Sequence, residues 1–196
     1  VRESAPSYLV CDAFELPFGN MSFDAVVALD VIEHVSPDKR TDFVGEMCRA
    51  ADSIVVVAAP FEDEKGVIAE AERLLFDYIK ETHSYEHRYF KEHITNGLPS
   101  IEDTIEYFHK DGWSVHTLPN GYFPRWFLTI LLEYGAEFNT LLENIMPKLR
   151  QYYNYYCYPH DNHEPAYRHF VVAQRDDFSP MERAALSRMT SAAENR

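Results

Sequence analysis

An α/β domain with a mostly parallel sheet is the fold class this sequence predicts, on three observations. Residues 23–29 (FDAVVAL) and 54–59 (IVVVAA) are almost continuously apolar, the pattern of strands covered on both faces in a parallel sheet. Between them Phe43, Val44, Met47 and Cys48 recur at helical spacing, so a helix carries the chain from one strand to the next. Strand-like and helix-like segments then keep alternating, which is a layered arrangement rather than separate all-β and all-α parts. Ligands of such sheets bind beyond the carboxyl ends of the strands, which directs attention to the residues after Val10, Leu29 and Ala59.

Residues 8–11 (YLVC) are β-prone and end at Asp12, and a turn is expected at Gly19-Asn20. Ser36-Pro37-Asp38 reads as a helix start, with Ser36 as N-cap and Pro37 in the first turn. Pro60 stops the second apolar strand. Residues 62–89 are charged and helical in pattern, with Val67, Ile68, Leu74, Leu75, Tyr78 and Ile79 as the apolar set. Pro99-Ser100 opens a helix over 101–110, which Asp111-Gly112 ends, and 113–118 alternates as a strand. Residues 124–158 are aromatic-rich and helical, interrupted at Gly135 and Pro147; 170–174 (FVVAQ) is a last short strand. The expected organisation is one domain over 1–175, with a helical insertion at 62–98, and a loose tail at 176–196.

The chain has 196 residues, enough to bury one sizeable core. Its formal charge of −14, from 32 acidic against 18 basic residues with no basic cluster, argues against nucleic acid as a direct partner. Cys11, Cys48 and Cys157 are odd in number, far apart and form no C-x-x-C, so reduced thiols in a cytoplasmic protein are expected rather than a disulfide framework or zinc knuckle. No run of about 18 apolar residues is present, so no membrane span is expected, and no signal peptide is recognised. The first residue is Val1 rather than Met, which reads as a processed or incomplete sequence.

The segments around those three strand ends carry a recognisable text. Cys11-Asp12-Ala13-Phe14-Glu15-Leu16-Pro17-Phe18 resembles the D-A-x-x-L-P-F segment of class I S-adenosylmethionine-dependent methyltransferases. Ser22-Phe23-Asp24-Ala25-Val26 is similar to their S-F-D-x-V strand, Glu33-His34-Val35 to their E-H-V turn, and Phe43-x-x-Glu46-x-x-Arg49 to the helix that follows. Asn96-Gly97-Leu98-Pro99 and Pro119-Asn120-Gly121-Tyr122 are similar to methyltransferase domains found beside bacterial glycosyltransferases.

The resemblance implies a Rossmann-like sheet of seven strands, a glycine-rich cofactor loop and S-adenosylmethionine as cofactor. No G-x-G occurs among the 7 glycines, so the resemblance implies that the first two strands, which sit mid-sheet in the family, lie upstream. Residues 23–29 would then keep an unpaired edge, and the chain alone would hold cofactor poorly. On the resemblance, Asp12 accepts the adenine amino proton, the Ala13 N–H faces the ring and Phe14 covers it, while Leu29 and Asp30 face the methionine end. His34 is the candidate base for an acceptor hydroxyl, oriented by Glu33, because an imidazole titrates near neutrality. His83, Tyr85, His87 and Arg88, in the insertion, are candidate substrate contacts.

Each assignment has a plainer counterpart: Asp12 as a turn cap, Phe14 as core, Asp30 as a solvated turn residue, His34 as a structural bond across its loop. Glu46 and Arg49, three residues apart on one helix, read as an ion pair. His83 and His87 stand four apart, but Ser84 occupies the position where a zincin needs Glu; His160, Asp161, His163 and Glu164 form a second ligand-rich group, and no metal is expected at either. Tyr152, Tyr153, Tyr155, Tyr156 and Tyr158 would serve as a substrate cap, a homodimer surface or a second core layer. The function expected is methyl transfer to a hydroxyl or amine of a small molecule or saccharide. The alternatives are a non-catalytic methyltransferase-like interaction module and a metal-dependent hydrolase.

Overall fold

The computed structural model describes residues 8–175; the tail expected at 176–196 lies outside them. Four strands form one open sheet in the order β1-β2-β4-β3: β1 (Phe23–Leu29), β2 (Ala51–Pro60), β3 (Trp113–Tyr122) and β4 (Ala166–Arg175). β1 and β2 pair in parallel, while β4 runs antiparallel to both β2 and β3. Three strands therefore share one direction and β4 alone is reversed. The result is the expected α/β class, with a mixed sheet and a Rossmann-like β1–α1–β2 unit.

Helix α1 (Arg40–Ala50) makes the crossover between the parallel strands. Its apolar stripe, Phe43, Val44, Met47 and Cys48, is buried against alternate strand residues Val55, Val57, Val171 and Ala173. Helix α4 (Ile101–Lys110) joins the same core through Phe108, with its start capped by Ser100, whose Oγ accepts from the Asp103 N–H at 3.1 Å. Ser36 makes no such cap. Pro37–Lys39 forms a 3-10 turn instead, and α1 begins at Arg40.

Cover on both strand faces, expected from the apolar runs, is only partly found. Val55 and Val57 are fully enclosed, but the neighbours pointing the other way, Ile54 and Val56, are half-exposed. On β1, Phe23, Val27 and Leu29 are exposed, and the strand's outer edge has no partner among the described residues. The β-prone residues 8–11 form no strand: the chain there is exposed, and only an isolated bridge, Asp12 to Glu15, follows.

Charged residues 62–89 contain the whole of α2 (Val67–His83) and the first two residues of a second helix, α3 (Arg88–Asn96). They part at Ser84, which takes φ 58°, a left-handed conformation uncommon outside glycine. The aromatic segment is likewise divided, into α5 (Phe123–Ala136) and α6 (Thr140–Tyr152), the latter running on into a π-helical turn at Tyr153–Cys157. The break falls at Asn139 rather than Gly135, because the Asn139 carboxamide oxygen accepts from the Leu141 and Leu142 N–H groups and starts α6. Pro147 sits inside α6 without ending it. Leu75 and Ile79 of α2, Phe90 of α3 and the apolar side of α5 share a second core cluster. No helix among the described residues is long and apolar enough to cross a membrane.

Candidate active site

β1 ends at Leu29, and the chain turns through Asp30, which holds φ 53°. The Asp30 N–H donates to the Ala58 carbonyl of β2 at 2.8 Å, so the turn is anchored to the sheet while its side chain leaves the strand end. One 3-10 turn, Ile32–His34, follows; Ile32 and Glu33 point inward and His34 is half-buried. Helix α3 is latched over this turn from the other side. The Asn96 amide donates to the His34 carbonyl at 3.0 Å, and the buried Arg40 guanidinium donates to the carbonyls of Val35, Leu98 and Gly97.

Between the strand ends and helices α3 and α5 lies a cavity of about 310 Å³. Its polar end is formed by Asp30, Glu33, His34, His93 and Arg168, and its walls by aromatic side chains including Tyr89, Phe90, Trp126 and Tyr134. Trp126 stacks on Tyr167 at 3.5 Å between ring centroids, which fixes one wall.

The polar end is dense with paired charge. Arg168 Nε lies 2.9 Å from Asp30 Oδ1, so the cation facing Asp30 in this structure is the chain's own. Glu33 is 1% exposed, and burial pushes its carboxyl up to about 7, with the Asp30 carboxylate adding to the rise. Burial and the neighbouring His93 lower the His34 imidazole, against the pull of Glu92, whose Oε2 lies 2.9 Å from Nδ1. The His34 and His93 rings sit 4.8 Å apart. Behind them His93 Nδ1 meets the buried Glu72 carboxylate at 3.0 Å, and the Tyr167 hydroxyl donates to Glu72 at 2.6 Å.

Residues 12–22 run along α1 and are stapled to it. Glu46 Oε1 accepts from the Leu16 N–H at 2.7 Å, and Arg49 grips Glu46 while donating to the carbonyls of Phe18 and Leu16. Phe14 lies edge-on to Phe43 in the first half of α1, at 6.5 Å. Because α1 runs back from the turn that β1 enters, this path brings Asp12, Ala13 and Phe14 toward the rim that carries Asp30. Asp12 Oδ1 accepts from the Phe14 N–H at 2.9 Å, a turn-capping bond that leaves its other oxygen free of any intrachain partner described. Phe14 and Leu29 stay exposed, apolar cover of the sort an adenine or thioether needs, and Asp30 follows Leu29 in the chain. The residues present thus fit part of a sulfonium nucleoside site.

Of the four insertion candidates only His87 lines the cavity. His83 is buried among the rings of Tyr134 and Phe138, the Tyr85 hydroxyl reaches that of Tyr134 at 3.5 Å, and the Arg88 side chain is 82% exposed and paired with Glu92. His83 and His87 do not share a helix, since one ends α2 and the other caps α3. In the second ligand-rich group, Asp161 pairs with Arg125 and Glu164 with His169. Tyr152, Tyr155 and Tyr156 are exposed and none lines the cavity. Sequence reasoning missed His93, Glu72, Arg168 and Tyr167, whose signal is one of contact across the chain rather than spacing.

Residues 1–54 match the family described as methyltransferase domain. No curated protein matches the chain. Among solved structures, magnesium protoporphyrin IX methyltransferase from Synechocystis PCC 6803 with bound SAH is similar at 12% identity and TM-score 0.44, over 87% of this chain and 52% of that one. The [4+2]-cyclase SpnF is similar at 15% identity and TM-score 0.47, over 84% of this chain and 54% of that one. A SAM-dependent methyltransferase from Thermotoga maritima, a possible histamine N-methyltransferase, is similar at 12% identity and TM-score 0.47, over 86% of this chain and 63% of that one. The chain spans about half the length of the first of these. The segment from before Asp12 through β1, the His34 turn and α1 is therefore matched as a methyltransferase domain.

Proposed function

We propose that this chain is the acceptor-side part of an S-adenosylmethionine-dependent methyltransferase acting on a hydroxyl or amine of a small molecule or saccharide. One observation carries the reading: the methyltransferase-domain match, over residues 1–54, includes a turn, Asp30 to His34, that opens into an aromatic-walled cavity at the carboxyl ends of β1 and β2. When bound, the cofactor supplies an electrophilic methyl group on a sulfonium centre. Asp12, Ala13 and Phe14 would hold its adenine, and Leu29 and Asp30 its methionine end.

The chain's own residues do the rest. The Asp30 carboxylate, held by Arg168 at the strand end, lies where the methionine end of the cofactor would sit. Tyr89, Trp126 and Tyr134 offer flat faces on which a sugar or aromatic acceptor can stack. Glu33 and His34 then receive the nucleophilic atom at the polar end, and His87 borders it. Holding that atom in line with the methyl group is where most of the rate gain would arise. The glycine-rich cofactor loop is absent from these 196 residues, so cofactor binding is best measured on protein expressed from the whole reading frame.

The test supplies methyl-labelled S-adenosylmethionine to that protein with a small-molecule extract, and follows labelled product by chromatography. His34→Ala is expected to cut labelled product about 100-fold or more while S-adenosylhomocysteine still binds, since a group acting on the acceptor's proton acts in the transition state. Unchanged product formation would remove His34 from the reaction. Cofactor binding without transfer to any acceptor would favour the non-catalytic interaction module.

A further inference from the structure

The geometry points to a divalent transition-metal site formed by Glu33, His34 and His93 at the polar end of the cavity. One donor atom from each residue lies within 4.8 Å of the other two. They come from two elements: Glu33 and His34 from the turn after β1, His93 from α3, held together by Asn96 and Arg40.

Two of the three residues carry a buried atom without a partner. Glu33 Oε2 and His93 Nε2 have no hydrogen-bond partner among the described residues, and their residues are 1% and 6% exposed. Polar atoms left dry and unpaired are costly, and native structures rarely keep them without a reason. Glu72 shows what kind of ligand would relieve both. Its carboxylate accepts from His93 Nδ1, which in the neutral ring puts the proton on Nδ1 and leaves Nε2 as a lone pair. With Glu33 ionised, a lone-pair nitrogen and a carboxylate oxygen in one cluster are both acceptors, and a cation satisfies both at once.

The surroundings have the form that orients metal-binding histidines, in which a carboxylate holds the ring from behind. Glu72 does this for His93 and is itself held by the Tyr167 hydroxyl; Glu92 lies 2.9 Å from His34. Ligand bonds of about 2.1 Å place donors roughly 3–3.5 Å apart, so a small side-chain closure completes the triad. Two imidazoles and one carboxylate suit zinc, iron(II) or manganese(II), and three protein donors leave coordination open toward the cavity. Binding of the ion stands apart from methyl transfer: the metal-bound form holds His34 as a ligand and the metal-free form leaves it as the base, and the ion's use in drawing an oxygen or nitrogen donor of the acceptor to the polar end rests on the methyltransferase reading.

The experiment uses untagged full chain stripped with chelator, then titrated separately with Zn²⁺ by calorimetry and with Co²⁺ by visible absorption. One ion per chain is expected, with Co²⁺ developing ligand-field bands. Glu72→Gln, which leaves the three donors intact, should weaken Zn²⁺ about 10- to 100-fold. His34→Ala, at a half-exposed position and checked by circular dichroism, should weaken it further, while the double variant His160→Ala, His163→Ala should bind as the parent does. Absence of stoichiometric metal, or binding unaffected by His34→Ala, would overturn the site. S-adenosylhomocysteine binding measured on whole-reading-frame protein is a separate readout, so loss of either result leaves the other standing.

Discussion

Arg49 illustrates how a legible motif can hide its task. Its spacing from Glu46 reads as an ion pair on one helix, which it is, at 2.6 Å. The larger part of its work is to hold the carbonyls of Leu16 and Phe18, some thirty residues back along the chain, and through them the approach to Asp12. Sequence spacing cannot show a bond to a backbone atom that far away. Arg49→Ala should therefore leave α1 folded but free residues 12–22, speeding limited proteolysis within that stretch several-fold. Cleavage at the parent rate would mean that the segment is held by other contacts. His93 makes the same point more sharply. Nothing near it in sequence marks it out, and its partner Glu72 is one of 32 acidic residues. Only the fold reveals that the two are buried together and that one ring nitrogen is left over.

Among the elements, β1, α1, β2 and α4 were readable because each carries a strong local pattern: apolar runs, a four-residue stripe, a Ser cap. Helix α4 was expected over 101–110 and lies at Ile101–Lys110. The breaks in the longer helices were less readable, since Gly135 and Pro147 are weak local signals beside the Asn139 cap that sets the boundary. Cover on both faces of β1 was expected from an apolar run, and the run alone does not say whether a neighbour is present. In the structure Val27 is 55% exposed on a strand whose outer edge has no partner among the described residues, an arrangement prone to edge-to-edge association. Val27→Lys should lower concentration-dependent light scattering of the 196-residue chain, with thermal stability changed little, as is usual for an exposed position. Scattering at the parent level would show that this edge is not what associates.

For the molecule as a whole, the sheet order explains why the candidate site is where it is. The parallel pair β1 and β2 ends at one rim, the reversed strand β4 begins there with Tyr167 and Arg168, and α3 and α5 close the hollow. The general rule that ligands bind at the carboxyl ends of such strands locates the rim from sequence, while the aromatic richness of 124–158 does not say which of its rings, Trp126 and Tyr134, face the cavity. The reading of this rim as a cofactor-binding edge is tested most directly by calorimetric titration of the whole-reading-frame protein with S-adenosylhomocysteine. Saturable binding is expected, weakened about 5- to 150-fold in Asp12→Ala, which corresponds to about 1–3 kcal/mol from a lost adenine contact. Saturable binding with the same affinity in Asp12→Ala, or no binding at all, would contradict it.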